Sequence, residues 1–346
     1  MLNVPDAVVR LGVVGGGLIS QVAHLPALLG LDRLFAVVAL AEPDLAARDA
    51  LSRRYGIAAT YANHAPMLER ADLDALLVCS PNGTHARVVL DALSAGLHVL
   101  VEKPLCLDPA DARDIAAQAD RAGRVVQVGY MKRFDPAYER LRANLSGDLR
   151  LVASATVDPG IGERLRPSGF IAPRPRATAA YRRDTAAQVA TALETDDPQH
   201  VAPFSDVFLG ALIHDVNLVL GVCPGAWHVT DAAGGADAAY GAWARDDGAR
   251  WTAGWYRLPA GEFSEELTVY TGDGVSRLRF PAPYLGSAPA ELRVGNACWR
   301  EPANAYVRQL EHFHACITAG EPCRTPAEQG ARDIELLTEL YRAVAT

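Results

Sequence analysis

Apolar runs and amphipathic stretches alternate along residues 1–128. "VRLGVV" (Val9–Val14), "FAVVAL" (Phe35–Leu40), "ALLVC" (Ala75–Cys79), "LHVLV" (Leu97–Val101) and "VVQV" (Val125–Val128) are continuous and rich in aliphatic residues. Short runs without polar alternation predict strands covered on both faces. The stretches between them carry helix punctuation. "LISQVAHLPALLG" follows a glycine turn. Asp44 can cap a helix ending at Tyr55 before Gly56, and Thr84 can cap "HARVVLDALSA", which Gly96 closes. Asp108-Pro109 can start a helix that Gly123 stops. This alternation predicts a doubly wound parallel sheet, an α/β Rossmann domain over residues 1–128.

After Gly129 the pattern changes. Residues 158–203 are rich in Pro, Gly, Arg and Ala and read as a long surface excursion with a helix near Thr185–Leu193. A strongly apolar helix is expected from about Ser205 to Leu220. From Trp227 to Phe280 short strands meet at tight turns, "RDDG" at Arg245–Gly248 and "GDG" at Gly272–Gly274. Two helices, Ala303–Ala319 and Pro326–Val344, close the chain. Strands followed by helices predict an α+β second domain over residues 129–346.

Composition narrows the function classes. Half of the 346 residues are hydrophobic, enough for two cores, and the net charge is -8. No global positive field would attract nucleic acid. The expectation is no membrane span and no leader, because the N-terminal residues lead straight into a strand. The six cysteines show no paired metal spacing, so no metal site is expected, and reduced thiols suit a cytoplasmic protein.

Gly15, Gly16 and Gly17 lie between the first strand and the first helix, and Gly15-x-Gly17-x-x-Ser20 has the dinucleotide-binding spacing with serine in the third glycine position. Gly15 permits the tight turn, Gly17 allows close backbone approach, and a helix N-terminus favours pyrophosphate. Glu42 ends the second strand, where a carboxylate can accept from a ribose 2′-hydroxyl and repel a 2′-phosphate. That favours NAD; Arg48 and Arg53 nearby keep NADP open. Of the 33 lysines and arginines only Lys103 and Lys132 are lysine. A desolvated lysine can release a proton at useful pH, whereas guanidinium cannot.

"GVVGGGLISQVAHLPAL", "SPNGTH", "EKP" at Glu102–Pro104, "GYMKRFDP" and, more loosely, "HDVNLVLG" resemble the glucose-fructose oxidoreductase/inositol dehydrogenase/MocA family, in the same order along the chain. The resemblance implies a second domain with a large, mostly antiparallel, open-faced sheet, packed face to face in homodimers or homotetramers. Trp227, Trp243, Trp251 and Trp255 would form that face or its core. It implies that Leu18, Ile19, Ser80, Asn82, His85, Glu102 and Lys103 lie along the cofactor, with Lys103 also at the reacting hydroxyl. It implies His214 as general acid/base, and Met131, Lys132, Asp158 and Asn217 at the substrate. Lys132 could equally pair with a surface carboxylate. Many relatives carry an aspartate four residues before the histidine; here that position is Gly210, with Asp206, Asp215 and Asp158 as possible substitutes. The glycine removes a carboxylate and opens space on the helix face.

The expected function is NAD-dependent hydride transfer to or from a secondary alcohol or ketone of a sugar, cyclitol or aminosugar derivative. The alternatives are an NADP-dependent ketosugar reductase and a non-catalytic dinucleotide-binding sugar sensor. Retention of both Lys103 and His214 speaks against the sensor.

Overall fold

The computed structural model describes residues 7–70, 72–162, 179–195, 197–284 and 288–345; most of the first half of the expected excursion, residues 163–178, lies outside them. The chain divides into two compact units: residues 1–129 with 165–185 and 306–331, and residues 130–164 with 186–305 and 332–346.

The first unit is built on a six-stranded parallel sheet. Its strands are β1 (Val9–Val14), β2 (Phe35–Ala41), β3 (Ala59–Tyr61), β4 (Ala75–Val78), β5 (His98–Glu102) and β6 (Val126–Gly129), in the order β3-β2-β1-β4-β5-β6. This is the doubly wound order, and its direction reverses between β1 and β4, where such sheets bind ligands beyond the carboxyl ends of the strands. β1, β4 and β5 are almost fully buried, as their unbroken apolar runs require. The three-residue β3 has too short a pattern to be read from sequence. Helix α1 (18–29) follows β1, and its Ser20–His24 turns are π-wound. α2 (Leu45–Tyr55) starts at Asp44, whose carboxylate accepts from the Ala47 amide, and ends at left-handed Gly56. α3 spans His64–Leu68 and α4 His85–Ser94. α5 (Pro109–Ala122) uses the Asp108 cap and the Gly123 stop. Thr84 departs from expectation. Its hydroxyl donates to Ser80 Oγ and to the Pro81 carbonyl, so it closes a turn before α4 and caps nothing.

The second unit contains α6 (Pro136–Asn144) and an eight-stranded sheet of β7 (Leu149–Asp158), β8 (His228–Gly234), β9 (Ala238–Ala244), β10 (Arg250–Arg257), β11 (Ser264–Thr271), β12 (Gly274–Phe280), β13 (Glu291–Val294) and β14 (Ala297–Arg300). The order is β14-β13-β12-β11-β7-β10-β9-β8, antiparallel except for the β7–β10 pair. Trp243 and Trp251 stack at 3.8 Å between ring centroids, and Trp227 meets Trp251 edge-on. Trp227, Trp243, Trp251 and Trp255 are buried within the chain, so they form core.

α7 runs Ala179–Leu193. The apolar helix expected from Ser205 proves to be two pieces, a π-wound segment Pro203–Leu212 and α8 (Ile213–Val222). The longer run Pro198–Val222 is apolar and long enough to cross a bilayer, but 67% of its most apolar window is buried inside the protein. Its hydrophobic surface is therefore used for core packing.

The final helices, α9 (Ala305–Thr318) and α10 (Ala327–Ala345), correct the expected domain boundary. α9 lies in the first unit, where Phe313 stacks on Phe35 and His314 Nε2 pairs with the Ala7 carbonyl at 2.9 Å. Val128 of edge strand β6 donates its amide to the Thr325 carbonyl at 2.8 Å. An edge strand needs such cover for its unpaired backbone groups. An amphipathic helix shows in sequence that it has a buried face, but not which sheet will bury it.

Candidate active site

Two sets of site residues emerge, one in each unit. In the first, the glycine loop is pressed against the end of β4. Gly15 has φ +96, and a Cβ there would lie 2.6 Å from the Cys79 carbonyl oxygen, so only glycine is accepted. At Gly17 an added Cβ meets nothing within 4 Å, which leaves an open approach to the backbone at the start of α1. Ser20 is buried and donates to the Gly15 carbonyl at 2.6 Å, tying the helix to the loop. Leu18 and Ile19 are half-buried in the same turn. The loop thus fits a dinucleotide pyrophosphate by its open face and its helix N-terminus.

Glu42 does more than its sequence position suggests. Its Oε2 accepts from the Gly16 amide at 2.7 Å and its Oε1 from the Asp44 amide at 2.9 Å, and it is 3% exposed. The carboxylate therefore holds the glycine loop to the end of β2 as well as placing negative charge there. Arg48, one of the two cations that kept NADP open, donates to the Glu42 carbonyl at 2.6 Å. Arg53 is exposed.

The segment after β5 is braced from two directions. Glu102 Oε1 meets His24 Nε2 at 2.7 Å, and Glu102 Oε2 accepts from the Lys103 amide at 3.2 Å. Burial pushes Glu102 toward protonation, but the His24 bond and the nearby Lys103 charge outweigh it and leave its pKa below the usual value. His85 is fully buried between two carbonyls, Nδ1 at 2.7 Å from Pro104 and Nε2 at 2.8 Å from Ser80. Burial lowers its pKa while both carbonyls pull it upward. It clamps the β4 end to the Lys103-Pro104 peptide, which is cis. Lys103 is half-buried, as are Ser80 and Asn82. The unit therefore brings the glycine loop, Glu42, Ser80, Asn82, His85, Glu102 and Lys103 to one sheet edge. His24, which braces Glu102, was not foreseen; its only sequence signal was a lone histidine in an apolar helix.

In the second unit His214 lies in the first turn of α8 and is half-buried. Its sequence neighbour Asp215 is 2% exposed, and Thr156 Oγ1 lies 3.4 Å from its Oδ2. Burial, reinforced by Glu265 and opposed by Lys132, pushes Asp215 up to about 7. Lys132 Nζ lies 2.5 Å from both oxygens of Glu265 and near the Phe280 ring. The lysine thus has its carboxylate partner, in a buried pair where a surface pair had been the alternative. Glu265 carried no sequence signal that would have linked it to Lys132.

Other expected substrate residues have structural partners. Asn217 is 1% exposed; its Nδ2 donates to Asp333 Oδ2 at 2.8 Å and Arg133 Nη1 lies 3.3 Å from its Oδ1. Both ends of the amide are used within the unit, so Asn217 ties α8 to Asp333 and Arg133. Burial pushes Asp333 up to about 7 against the Asn217 and Tyr130 hydrogen bonds. Asp158 accepts from the Gly160 and Ile161 amides and shapes the turn after β7. Met131 is buried.

Position 210 is tighter than expected, because a Cβ on Gly210 would lie 3.1 Å from the Ser205 carbonyl oxygen. Asp206 is exposed, whereas Asp215 is buried beside ionisable partners.

Comparison with known proteins follows the same division. Residues 9–130 match the Gfo/Idh/MocA family model, described as an oxidoreductase family with an NAD-binding Rossmann fold. The rhizopine catabolism protein MocA of Rhizobium meliloti is 37% identical over 148 residues, 42% of this chain and 45% of that protein. An inositol 2-dehydrogenase of Paracoccus denitrificans is 36% identical over 159 residues, 44% of this chain and 47% of that one. These matches span just under half the length of those relatives. Whole-chain similarity is structural. Scyllo-inositol dehydrogenase from Lactobacillus casei, solved with NAD(H) and scyllo-inositol, has a TM-score of 0.74 at 19% identity over 98% of this chain and 97% of that one. A 3-ketoreductase from Actinomadura kijaniata, solved with NADP and TDP-benzene, has a TM-score of 0.75 at 18% identity over 98% of both chains. At such identities the likeness shows the fold.

Proposed function

We propose that the chain, whose residues 9–130 match the Gfo/Idh/MocA oxidoreductase family model, is an NAD-dependent dehydrogenase of a cyclitol or sugar secondary alcohol. The observation that carries this reading is the grouping of the open glycine loop, Glu42 and Lys103 at one edge of the first sheet. The loop and the α1 N-terminus would hold the pyrophosphate, and the charge of Glu42 disfavours a 2′-phosphate. The bound nicotinamide would supply hydride chemistry.

The remaining work belongs to the chain. His24 and His85 brace the segment that carries Lys103, so its side chain starts from a fixed backbone position. Lys103 polarises the substrate oxygen, and His214 takes or returns the hydroxyl proton. The Lys132–Glu265 pair and buried Asp215 set the electrostatics beside His214. Similarity to an inositol 2-dehydrogenase over 159 residues supports a polyol substrate.

The test mixes purified protein with NAD or NADP and a panel of inositols and sugars, and follows absorbance of the reduced nicotinamide. NAD-dependent turnover with at least one polyol is expected. His214→Ala should cut turnover by about two to four orders of magnitude while leaving cofactor affinity nearly unchanged. Cofactor binding without turnover on any polyol or ketosugar, in either direction, would overturn the assignment. So would an alanine variant with normal turnover per folded molecule.

A further inference from the structure

Well apart in sequence from the residues assigned above, α9 and the turn after it bring three metal-ligating side chains together. His312 and Cys316 are one helical turn apart on α9, and Cys323 follows in the connection to α10. One ligand atom from each lies within 4.8 Å of the other two. His312 Nε2 is 3.3 Å from Cys316 Sγ. Tetrahedral zinc, with bonds of about 2.3 Å to sulfur and about 2.0 Å to nitrogen, holds such ligand atoms roughly 3.5 Å apart. We propose that His312, Cys316 and Cys323 form a zinc site that staples the α9–α10 connection to α9.

Three further features suit that assignment. The Arg324 amide donates to His312 Nε2 at 3.1 Å, which makes Nε2, 3.3 Å from Cys316 Sγ, the acceptor nitrogen and leaves the proton on Nδ1. Nδ1 lies 3.7 Å from Glu321 Oε2, within ion-pair range though not hydrogen-bonded, and a small shift would let that carboxylate orient a metal-bound imidazole. The Arg324 amide must yield its acceptor when the metal takes it. His312 and Cys316 are buried while Cys323 is half-exposed, so an ion has a way in and a fourth position for water.

The site would also have something to fix. Thr325 Oγ1 donates to the Val128 carbonyl at 2.8 Å, Pro326 bridges to Gln127, and Cys323 Sγ lies 3.9 Å from Gln127 Oε1. The connection therefore runs along β6, and a metal at its start would anchor it to α9. Binding releases the two thiol protons to solvent as both sulfurs become thiolate ligands, with no change in oxidation state. A search for paired cysteines misses the cluster because its first two members are a histidine and a cysteine on one helix face.

The experiment uses the full chain, reduced and stripped of metal, titrated with Zn2+ and separately with Co2+. A single Co2+ should give sulfur-to-metal charge-transfer absorption and the intense visible bands of tetrahedral coordination, and Zn2+ should abolish both. Cys316→Ser and Cys323→Ser should each lose the bands. Independent of any variant, saturating Zn2+ should slow alkylation of Cys323 in the unaltered chain by about tenfold or more, because a metal-held thiolate is shielded. Exposed Cys298 serves as the internal control and should react unchanged. Octahedral Co2+ spectra without thiolate bands would overturn the proposal. Equal alkylation of Cys323 with and without Zn2+ would also do so. So would isolation of the chain as a Cys316–Cys323 disulfide that binds no Zn2+ after reduction.

Discussion

Replacing Lys132 by methionine removes one ammonium from a site that also holds two carboxyl groups. Nζ lies 2.5 Å from both Glu265 oxygens, and the side chains of the pair are 11% and 2% exposed. Methionine keeps the stem's length and removes the charge, so Glu265 is left buried without its cation, beside Asp215. Breaking a buried pair from one side costs about 3–5 kcal/mol. At 2–4 °C per kcal/mol for a unit of this size, Tm should fall by roughly 10 °C. The double variant Lys132→Met with Glu265→Leu removes both charges and should recover most of the loss, since apolar replacement of a buried pair is often neutral or better. The pH dependence has a defined sign. A carboxyl whose folded pKa is raised, as Asp215's is from 3.8 to about 7, contributes stability in full below 3.8 and loses it as the pH rises through 7. Lys132 holds Asp215 down, so without it Asp215 should protonate more readily and the Lys132→Met deficit should shrink at pH 5.5 relative to pH 8. Urea unfolding of wild type, both single variants and the double variant at the two pH values measures each term. A single variant within about 0.5 kcal/mol of wild type at pH 8, or a double variant as unstable as the single, would refute the reasoning.

Other perturbations probe the rest of the chain. Lys103→Arg keeps the charge but not the compact, titratable donor; turnover should drop by at least about a hundredfold with cofactor affinity little changed, and full turnover would show that only charge matters there. Glu42→Gln presents an NH2 to one of two backbone amides that now donate to carboxylate oxygens. It should cost about 1–3 kcal/mol and narrow the ratio of NADP to NAD dissociation constants, and unaltered protein that already binds NADP as tightly as NAD would contradict the role given to its charge. Asp333, pushed up to about 7 by burial, should make wild type less stable as the pH rises from 5 to 8. Asp333→Asn should flatten that slope, and parallel denaturation profiles for the two proteins would exclude Asp333 as its source.

What was legible in the sequence was local. Five of the six strands of the first sheet are each an apolar run, and the Asp44 and Asp108 caps and the Gly56 and Gly123 stops do in the structure what their residue types suggested. Gly15 needed no partner to be recognised, because its restriction is a backbone one. Pairings were not legible. His24 and Glu102 are 78 positions apart, Asn217 and Asp333 116, and Lys132 and Glu265 133. A sequence shows that a charged residue is present but not what neutralises it, so the partners of Asn217 were not foreseen and Lys132 was left between two roles. The four-residue strands β13 and β14 and the π-wound turns before His214 also escaped. The first are too short for a periodicity, and the second share the apolar content of an ordinary helix.

The scarcity of lysine follows from the same contrast between local and paired information. Arginine serves wherever a cation faces solvent or a backbone carbonyl, as Arg48 and Arg342 do. Lys132 instead puts one nitrogen at equal distance from two carboxylate oxygens in a slot that is 11% exposed, against the Phe280 ring. A planar guanidinium is wider, carries five donors and would bring unsatisfied N–H groups into that slot. Lys103 faces a different demand. Its backbone is fixed by Glu102 and by the His85 bond to Pro104, so its side chain begins from a braced, partly desolvated position. A group held there can exchange a proton only if its pKa is within reach of neutrality, which arginine's is not. On the proposed mechanism, Lys132 meets a demand of size and Lys103 one of proton exchange. The two requirements separate experimentally, because a proton-exchange role predicts a pH-dependent rate that Lys103→Arg abolishes, and a packing role predicts a stability loss that Lys132→Met shows without substrate present.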